Sequence, residues 1–513
     1  MPAEAETHPK PGNFILWSCA AIALLIHLLT NSRYGYFRDE LYYIACARHL
    51  AWGYVDLAPL SALLLRIELL LFGDSLFALR LFPALAGAGT VALTGALARQ
   101  LGGRAWAIAL ACAGSLSALI FLALGNFYSL NAFEPLFWTG CAYCLVRLIN
   151  GGAWSWWLWF GLLAGLGVEN KHSMTFFGLG LAGAILLTGQ RRGLARPGIW
   201  LGGLLAFALA LPNIVWQIQH HWPTYELLSN IAHSNKNVVL SPPQFLFQQI
   251  LILNPATLPL WLGGLVWLLF RREGRRYRVL GLAYLITLAE FMILHGKHYY
   301  LAPIYPMLFA AGGVALEGWC SARLRFLRPA LATVMLVFAA ILAPTVIPIL
   351  PPEKLVSYME AIHFAPPKTE TSHTAALPQL FADQFGWEEM TRSLARAYEK
   401  LMPNEQKKAA IFCQNYGEAG AVDFFGPKYG LPPAISGHQN YFLWGPRGYD
   451  GELVLVLDDS SEDEQEQFES VTDMGPVETS RWAMPWEQRN HIYLCRGLKT
   501  DLREVWPKLK EWL

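Results

Sequence analysis

Long apolar runs separated by short polar connections fill residues 14–350, and the pattern then changes. Stretches near the ~20 residues that cross a bilayer core occur at 14–31, 76–98, 105–124, 132–149, 154–169, 173–189, 199–218, 245–270, 279–295, 299–317 and 329–350. The pattern therefore predicts an α-helical polytopic membrane module over residues 1–350 with about eleven transmembrane helices. After Pro351-Pro352 the apolar runs shorten to strand length and charge rises, so residues 351–513 read as a soluble extracytoplasmic α/β domain, with Pro366-Pro367 as linker. Strands are expected at 409–413, 453–457 and 491–495, a helix opening at Gly417-Glu418-Ala419-Gly420, and a solvated loop and helix start over 458–466.

The first outer loop, residues 32–75, carries two helical patterns. Asp39 and Glu40 suit the first turn of a helix running to about Leu50, where acidic side chains complement the helix dipole, and Gly53 ends it. A second helix starts at Asp56 and Pro59. Its leucines and Ile67 recur at helical spacing, either lying along the membrane surface or packing on neighbouring spans.

Composition supports the membrane reading: 54% of residues are hydrophobic and 15% charged, against roughly 25% charged in soluble domains. A net charge of +1 gives no electrostatic footprint for nucleic acid. Arginines at 99 and 104, 147, 191, 192 and 196, 271–278, and 323–328 mark every second connection, which the positive-inside rule makes cytoplasmic. The N-terminus is then cytoplasmic. The Asp39-Glu40 segment, the turns at 126–131, 169–172 and 295–298, residues 219–243 and everything after 351 face outward from the plasma (inner) membrane. No small-residue cleavage site follows the first span, so it reads as an anchor.

Eight cysteines form no even framework. Cys141 and Cys144 match a CxxC spacing inside a span, without a thioredoxin-like context. Cys413 and Cys495 both fall in the outer domain, where an oxidising compartment would let them pair. A GxGxxG match at 178–183 lies inside a span and follows no strand, so close helix packing explains it better than a dinucleotide.

The chemistry lies at the outer turns. Asp39 and Glu40 sit among Tyr36, Phe37, Tyr42 and Tyr43; such a carboxylate can take a proton from a hydroxyl or amine nucleophile, or it can be a helix-start charge paired with Arg38 or Arg48. Glu134, one turn beyond Asn131 and followed by Pro135, is either a helix-start charge or the acid of a polar pocket at the mouth of its span. Lys171 beside His172, and Lys297 between His295 and His298, can hold a phosphate as point charges or snorkel to headgroups. The HxxH spacing has no further acidic or cysteine ligands nearby, which argues against zinc.

Four segments carry a resemblance: 37–43, 52–60, Asn131-Ala132-Phe133-Glu134-Pro135-Leu136, and 296–306. Over roughly residues 14–320 the chain resembles the polytopic GT-C-type glycosyltransferases of family 39, which holds protein O-mannosyltransferases and lipid A aminoarabinose transferases. The resemblance implies inverting transfer of a sugar from a polyprenyl-phosphate donor to an acceptor on the outer membrane face. Asp39 would be the base, with Glu40 its neighbour and Glu134 a second acid where relatives often carry an aspartate. Lys297, Lys171 and His298 would face the donor phosphate, and Tyr42, Tyr43, Asn131, Tyr299 and Tyr300 would line the substrate cavity. No cofactor and no resident metal are expected, although a divalent ion stays open. The expected partners are the lipid-linked sugar, membrane lipids and a lipid, glycan or protein acceptor. The rival is a transporter or lipid-linked-substrate flippase; it calls for inverted repeats with charges near midspan, whereas these charges cluster at one outer rim.

Overall fold

The computed structural model describes residues 11–234, 236–320, 323–365 and 375–513. Every expected apolar stretch is helical. Among the described residues five helices are long and apolar enough to cross a membrane: Gly12–Thr30, Leu76–Gln100, Pro197–Gln219, His298–Trp319 and Leu327–Thr345. Two expected spans are interrupted. The 105–124 stretch forms the helices Ala105–Ser117 and Leu119–Leu124, broken where Ala118 turns extended at ψ 118°. The 245–270 stretch becomes the segments Pro242–Leu253 and Pro255–Phe270, bent by 97°.

The bend has a local cause. Asn254 adopts φ +79° with ψ 115°, outside the left-handed well that asparagine tolerates and costly for a non-glycine residue, and Pro255 after it cannot continue a helix hydrogen-bond ladder. A broken helix at apolar depth must find partners for its freed backbone groups. The Asn254 side chain takes part in this: its Oδ1 accepts from the freed Ala256 N–H, while its amide donates to the carbonyls of Ser117 at 3.2 Å and Met335 at 2.9 Å in neighbouring helices.

The chain forms two compact units. The first comprises Met1–Ser32, Phe77–Ile214 and Val239–Ile349; the second comprises Arg33–Leu76, Val215–Val238 and Leu350–Leu513. In the first unit Leu16, Ala23, Val91, Ile108, Cys112 and Leu116 form a buried apolar cluster. Buried Arg80 and Asn31 are tied reciprocally, each side chain donating to the other's backbone carbonyl. Glu317 accepts the N–H groups of Arg104, Trp106 and Ala107, so an anion closes a helix N-terminus. Gly180 faces Ala283 and Thr287 of the helix Arg278–Ile293, leaving no room for a side chain. That is the close packing expected for the 178–183 match.

The second unit contains a five-stranded sheet of order β2-β1-β3-β5-β4, with β1 Ala410–Cys413, β2 Ala434–Ile435, β3 Leu453–Asp458, β4 Phe468–Pro476 and β5 His491–Leu498. β2, β1 and β3 are parallel, while β5 and β4 pair antiparallel. The three expected strands are present. The two unexpected ones are the edges: β2 has two residues, and β4 is a largely exposed polar strand with no alternation to read. The linker expected at Pro366-Pro367 lies outside the described residues.

Cys413 and Cys495 do not pair; both are free and buried. They sit on β1 and β5, on opposite sides of β3, opposite Leu457 and Val454. Two strand spacings amount to roughly 9.5 Å, beyond the ~7 Å that a disulfide tolerates between Cα atoms.

The first outer helix runs Arg38–Arg48 and ends at His49, short of the expected Leu50. The next, Pro59–Phe72, starts with proline in its first turn and stops at Gly73, whose φ is +81°. Against the first lies the helix Tyr416–Phe425, opened by Asn415, whose Oδ1 accepts the Gly417 and Glu418 N–H groups. The two meet through glycine. A Cβ at Gly417 would sit 2.4 Å from Arg38 Cγ, and one at Gly420 would sit 2.9 Å from the Leu41 carbonyl carbon.

Candidate active site

Asp39 stands in the first turn of the helix Arg38–Arg48, its side chain 28% exposed. The close approach through Gly417 and Gly420 brings Tyr416 to it: the phenol donates to Asp39 Oδ1 at 2.8 Å. Arg38 Nε lies 3.6 Å from the same oxygen, and its guanidinium sits 5.4 Å from the Tyr416 ring centroid. Arg48 instead approaches Asp74, at 3.8 Å. Burial, followed by the opposing influence of Arg38 and then the Asp39 charge, leaves the Tyr416 phenol well above its ordinary pKa. It therefore acts as a protonated donor to the carboxylate.

Glu40 has a different placement. It is fully buried and accepts the Phe37 N–H at 2.8 Å, which occupies it with the helix N-terminus. Tyr42 is fully buried and Tyr43 nearly so. The Tyr42 ring packs 4.8 Å from Tyr416, and its hydroxyl donates to Asp56 Oδ1 at 2.8 Å. Desolvation pushes the Asp56 carboxyl up to about 7; the Tyr42 bond opposes this and the Asp39 charge adds to it. Asp56 and Tyr416 were not among the sequence candidates. Asp56 lay in a matching segment as a helix-start acid, and Tyr416 in an aromatic, polar stretch, 416–420, that could touch an acceptor but is explained equally well by turn and core packing.

Glu134 and Lys171 belong to the first unit. The helix Leu130–Ile149 places Asn131 and Glu134 one turn apart on one face. Lys171 follows the last residue of the helix Trp156–Asn170, where the helix dipole favours a cation. Its ammonium donates to Glu134 Oε2 at 3.0 Å and to Asn131 Oδ1 at 2.6 Å, and lies 3.9 Å from the Tyr300 ring centroid. The Ser173 hydroxyl donates to the other Glu134 oxygen. Glu134 is 2% exposed, so this is a buried, fully hydrogen-bonded ion pair. His172 faces Asn213 Oδ1 at 3.0 Å, and burial lowers its imidazole pKa.

The turn at 295–298 sets Lys297, half-buried, at the start of the 3-10 segment His298–Ile304. His298 is buried, and its carbonyl accepts from Gln249 at 2.9 Å. The Tyr299 and Tyr300 rings meet edge to face at 4.9 Å. The structure thus gathers Glu134, Lys171, Asn131 and Tyr300, with Tyr299 against Tyr300. In the other unit it gathers Asp39, Tyr42, Asp56 and Tyr416. Among the described residues no three His, Cys, Asp or Glu side chains are placed to hold a metal ion.

Residues 56–216 match the sequence profile of the dolichyl-phosphate-mannose-protein mannosyltransferase family. No curated protein matches the chain by sequence. Solved structures do match in fold. The crystal structure of ArnT from Cupriavidus metallidurans bound to undecaprenyl phosphate superposes with TM-score 0.62 at 15% identity, over 93% of this chain and 97% of that one. The oligosaccharyltransferase AglB from the archaeon Archaeoglobus fulgidus, in complex with an inhibitory peptide and a dolichol-phosphate, gives 0.54 at 12% identity, over 88% and 70%. The arabinofuranosyltransferase AftD from Mycobacteria gives 0.50 at 14% identity, over 95% and 40%. Along nearly its whole length the chain therefore has the fold of the polytopic GT-C glycosyltransferases such as ArnT, and over residues 56–216 it is similar in sequence to the protein mannosyltransferase family.

Proposed function

We propose that the protein transfers a sugar, with inversion, from a polyprenyl-phosphate donor to an acceptor on the extracytoplasmic face of the plasma membrane, with Asp39 as general base. The observation that carries this reading is the state of Asp39. Its Oδ1 is engaged by Tyr416 and Arg38, while Oδ2 has no hydrogen-bond partner among the described residues. A partly exposed carboxylate held on one side is suited to accept a proton on the other.

In this scheme the acceptor hydroxyl or amine loses its proton to Asp39 as it attacks the anomeric carbon. The bond from that carbon to the phosphate oxygen breaks, and the lipid phosphate leaves with the electron pair. Cations beside the phosphate stabilise the growing charge, a role assigned here to Lys171 and Lys297. Glu134 and Asn131 hold Lys171 in place, and Glu40 fixes the helix start that presents Asp39. Supporting the choice of donor, two proteins of the same fold are described with undecaprenyl phosphate and dolichol-phosphate bound. A phosphate already on the donor lipid also makes a nucleotide fold unnecessary.

The test uses membranes carrying wild type or Asp39→Asn, incubated with labelled polyprenyl-phosphate sugars. The variant is expected to lose transfer by about 10² to 10⁴, the contribution of a positioned base, while inserting normally. Undiminished turnover would remove Asp39 from the role.

A further inference from the structure

One face of the sheet in the second unit holds a cavity of about 270 Å³ that the transfer reaction does not use. Its floor is apolar, formed by Val454 and Val456 of β3 with Ile435 and Phe412, and Leu502 closes it from the C-terminal segment. It also touches Gln414 and Gly437, just beyond the carboxyl ends of β1 and β2, and Asp463 in the short helix Glu462–Gln467 that follows β3. The strand order reverses at β1, because β2 lies on one side of it and β3 on the other. In open α/β sheets, ligands bind in the crevice at the carboxyl ends of the strands where the order reverses.

The second observation is Glu464, which lies in the cavity wall. It is 7% exposed, and its Oε2 is shut off from solvent with no hydrogen-bond partner among the described residues. Burying a carboxylate oxygen unpaired is costly, and the nearby Lys499 ammonium is engaged instead by the Gln465 and Glu466 carbonyls, at 3.3 and 2.9 Å. Lys510, also at the cavity, is bound to Glu226 and stacks over Trp512, while Lys508 is an exposed rim residue. Burial pushes the Glu464 carboxyl up to about 7; a hydrogen bond from its own backbone N–H opposes this, and the nearby Asp458 and Asp463 add to it. A cation delivered to the cavity would relieve both the missing partner and the acidic repulsion.

We infer that this cavity binds a small amphipathic amine, its ammonium paired with Glu464 and its apolar body packed on Val454, Val456 and Leu502. A volume of this size accommodates a single alkyl or aryl amine, or one lysine-like side chain, and is small for a whole sugar-lipid headgroup. The inference is independent of the transfer reaction and stands if Asp39 proves not to be the base.

The probe is 4-fluorobenzylamine, followed by fluorine NMR line broadening on the full chain in nanodiscs, with empty nanodiscs as reference. 4-Fluorobenzyl alcohol and 4-fluorobenzoate serve as neutral and anionic counterparts. Wild type is expected to bind the amine in preference to both, and Glu464→Gln to weaken that binding about tenfold or more, the scale of a lost charged hydrogen bond. Val505→Trp, which places a bulky ring at a lining position of the cavity and keeps Glu464, should abolish binding of all three. Three results overturn the inference: no amine binding by wild type, equal binding of the alcohol, or undiminished amine binding by a folded Glu464→Gln protein.

Discussion

The Tyr416 hydroxyl donates to Oδ1 of Asp39 at 2.8 Å, across 377 residues of sequence. The phenol gives the carboxylate one fixed partner and so orients its second oxygen. Tyr416→Phe keeps the ring, which packs on Tyr42 and His438, and removes only the donor. Losing one hydrogen bond to a charged group should lower kcat for sugar transfer roughly tenfold to a hundredfold, with KM for the lipid donor little changed. An effect on KM alone would mean that Tyr416 serves binding and not the base.

The Glu134–Lys171 pair should show the asymmetry of buried ions. Removing one partner strands the other charge, at a cost of about 3–5 kcal/mol, whereas removing both is far milder. Thermal unfolding in detergent should rank Glu134→Gln and Lys171→Met well below wild type, with the double variant recovering much of the loss. If the losses in the double variant simply add, the two side chains do not depend on each other.

Asp56 predicts a pH dependence of stability. Its folded pKa of about 7 lies above the ordinary 3.8, so the folded state holds this proton more tightly than the unfolded chain. The stabilisation it contributes is complete below about pH 4 and is lost as pH rises through 7. Asp56→Asn removes that slope. Measured across this window, the Tm of the variant relative to wild type should climb with pH, and a difference that stays constant would contradict the shift.

All eight cysteines are free thiols. Alkylation of the denatured, unreduced protein with a mass tag should add eight tags; six, with peptide mapping placing the two untagged thiols at Cys413 and Cys495, would reveal a disulfide that their placement on either side of β3 does not allow.

The helical scaffold was legible because each span is a long apolar run. The break at Asn254 was missed: an Asn-Pro dipeptide is of the kind that marks turns, but the continuous greasiness of 245–270 read as one span. Asp39 announced itself as an acid at a span mouth. Glu40 looked like its twin, and the difference between them is one of helix position: the third helical residue reaches back to the Phe37 N–H, while Asp39 cannot. The mutual engagement of Glu134 and Lys171 was not legible, since two outer turns give no sign that their charges meet. Tyr416 was harder still. Its role rests on Gly417 and Gly420 admitting another helix backbone, and those glycines read equally well as an ordinary helix start.

One side chain in the first unit has mechanical consequences. Because a single Asn254 amide grips the backbone at Ser117 and at Met335, three stretches of chain are riveted at one point. The elbow between Leu253 and Pro255 cannot straighten or swing without dragging the other two along. Any rearrangement that admits a lipid tail must either move this knot as a block or pivot around it.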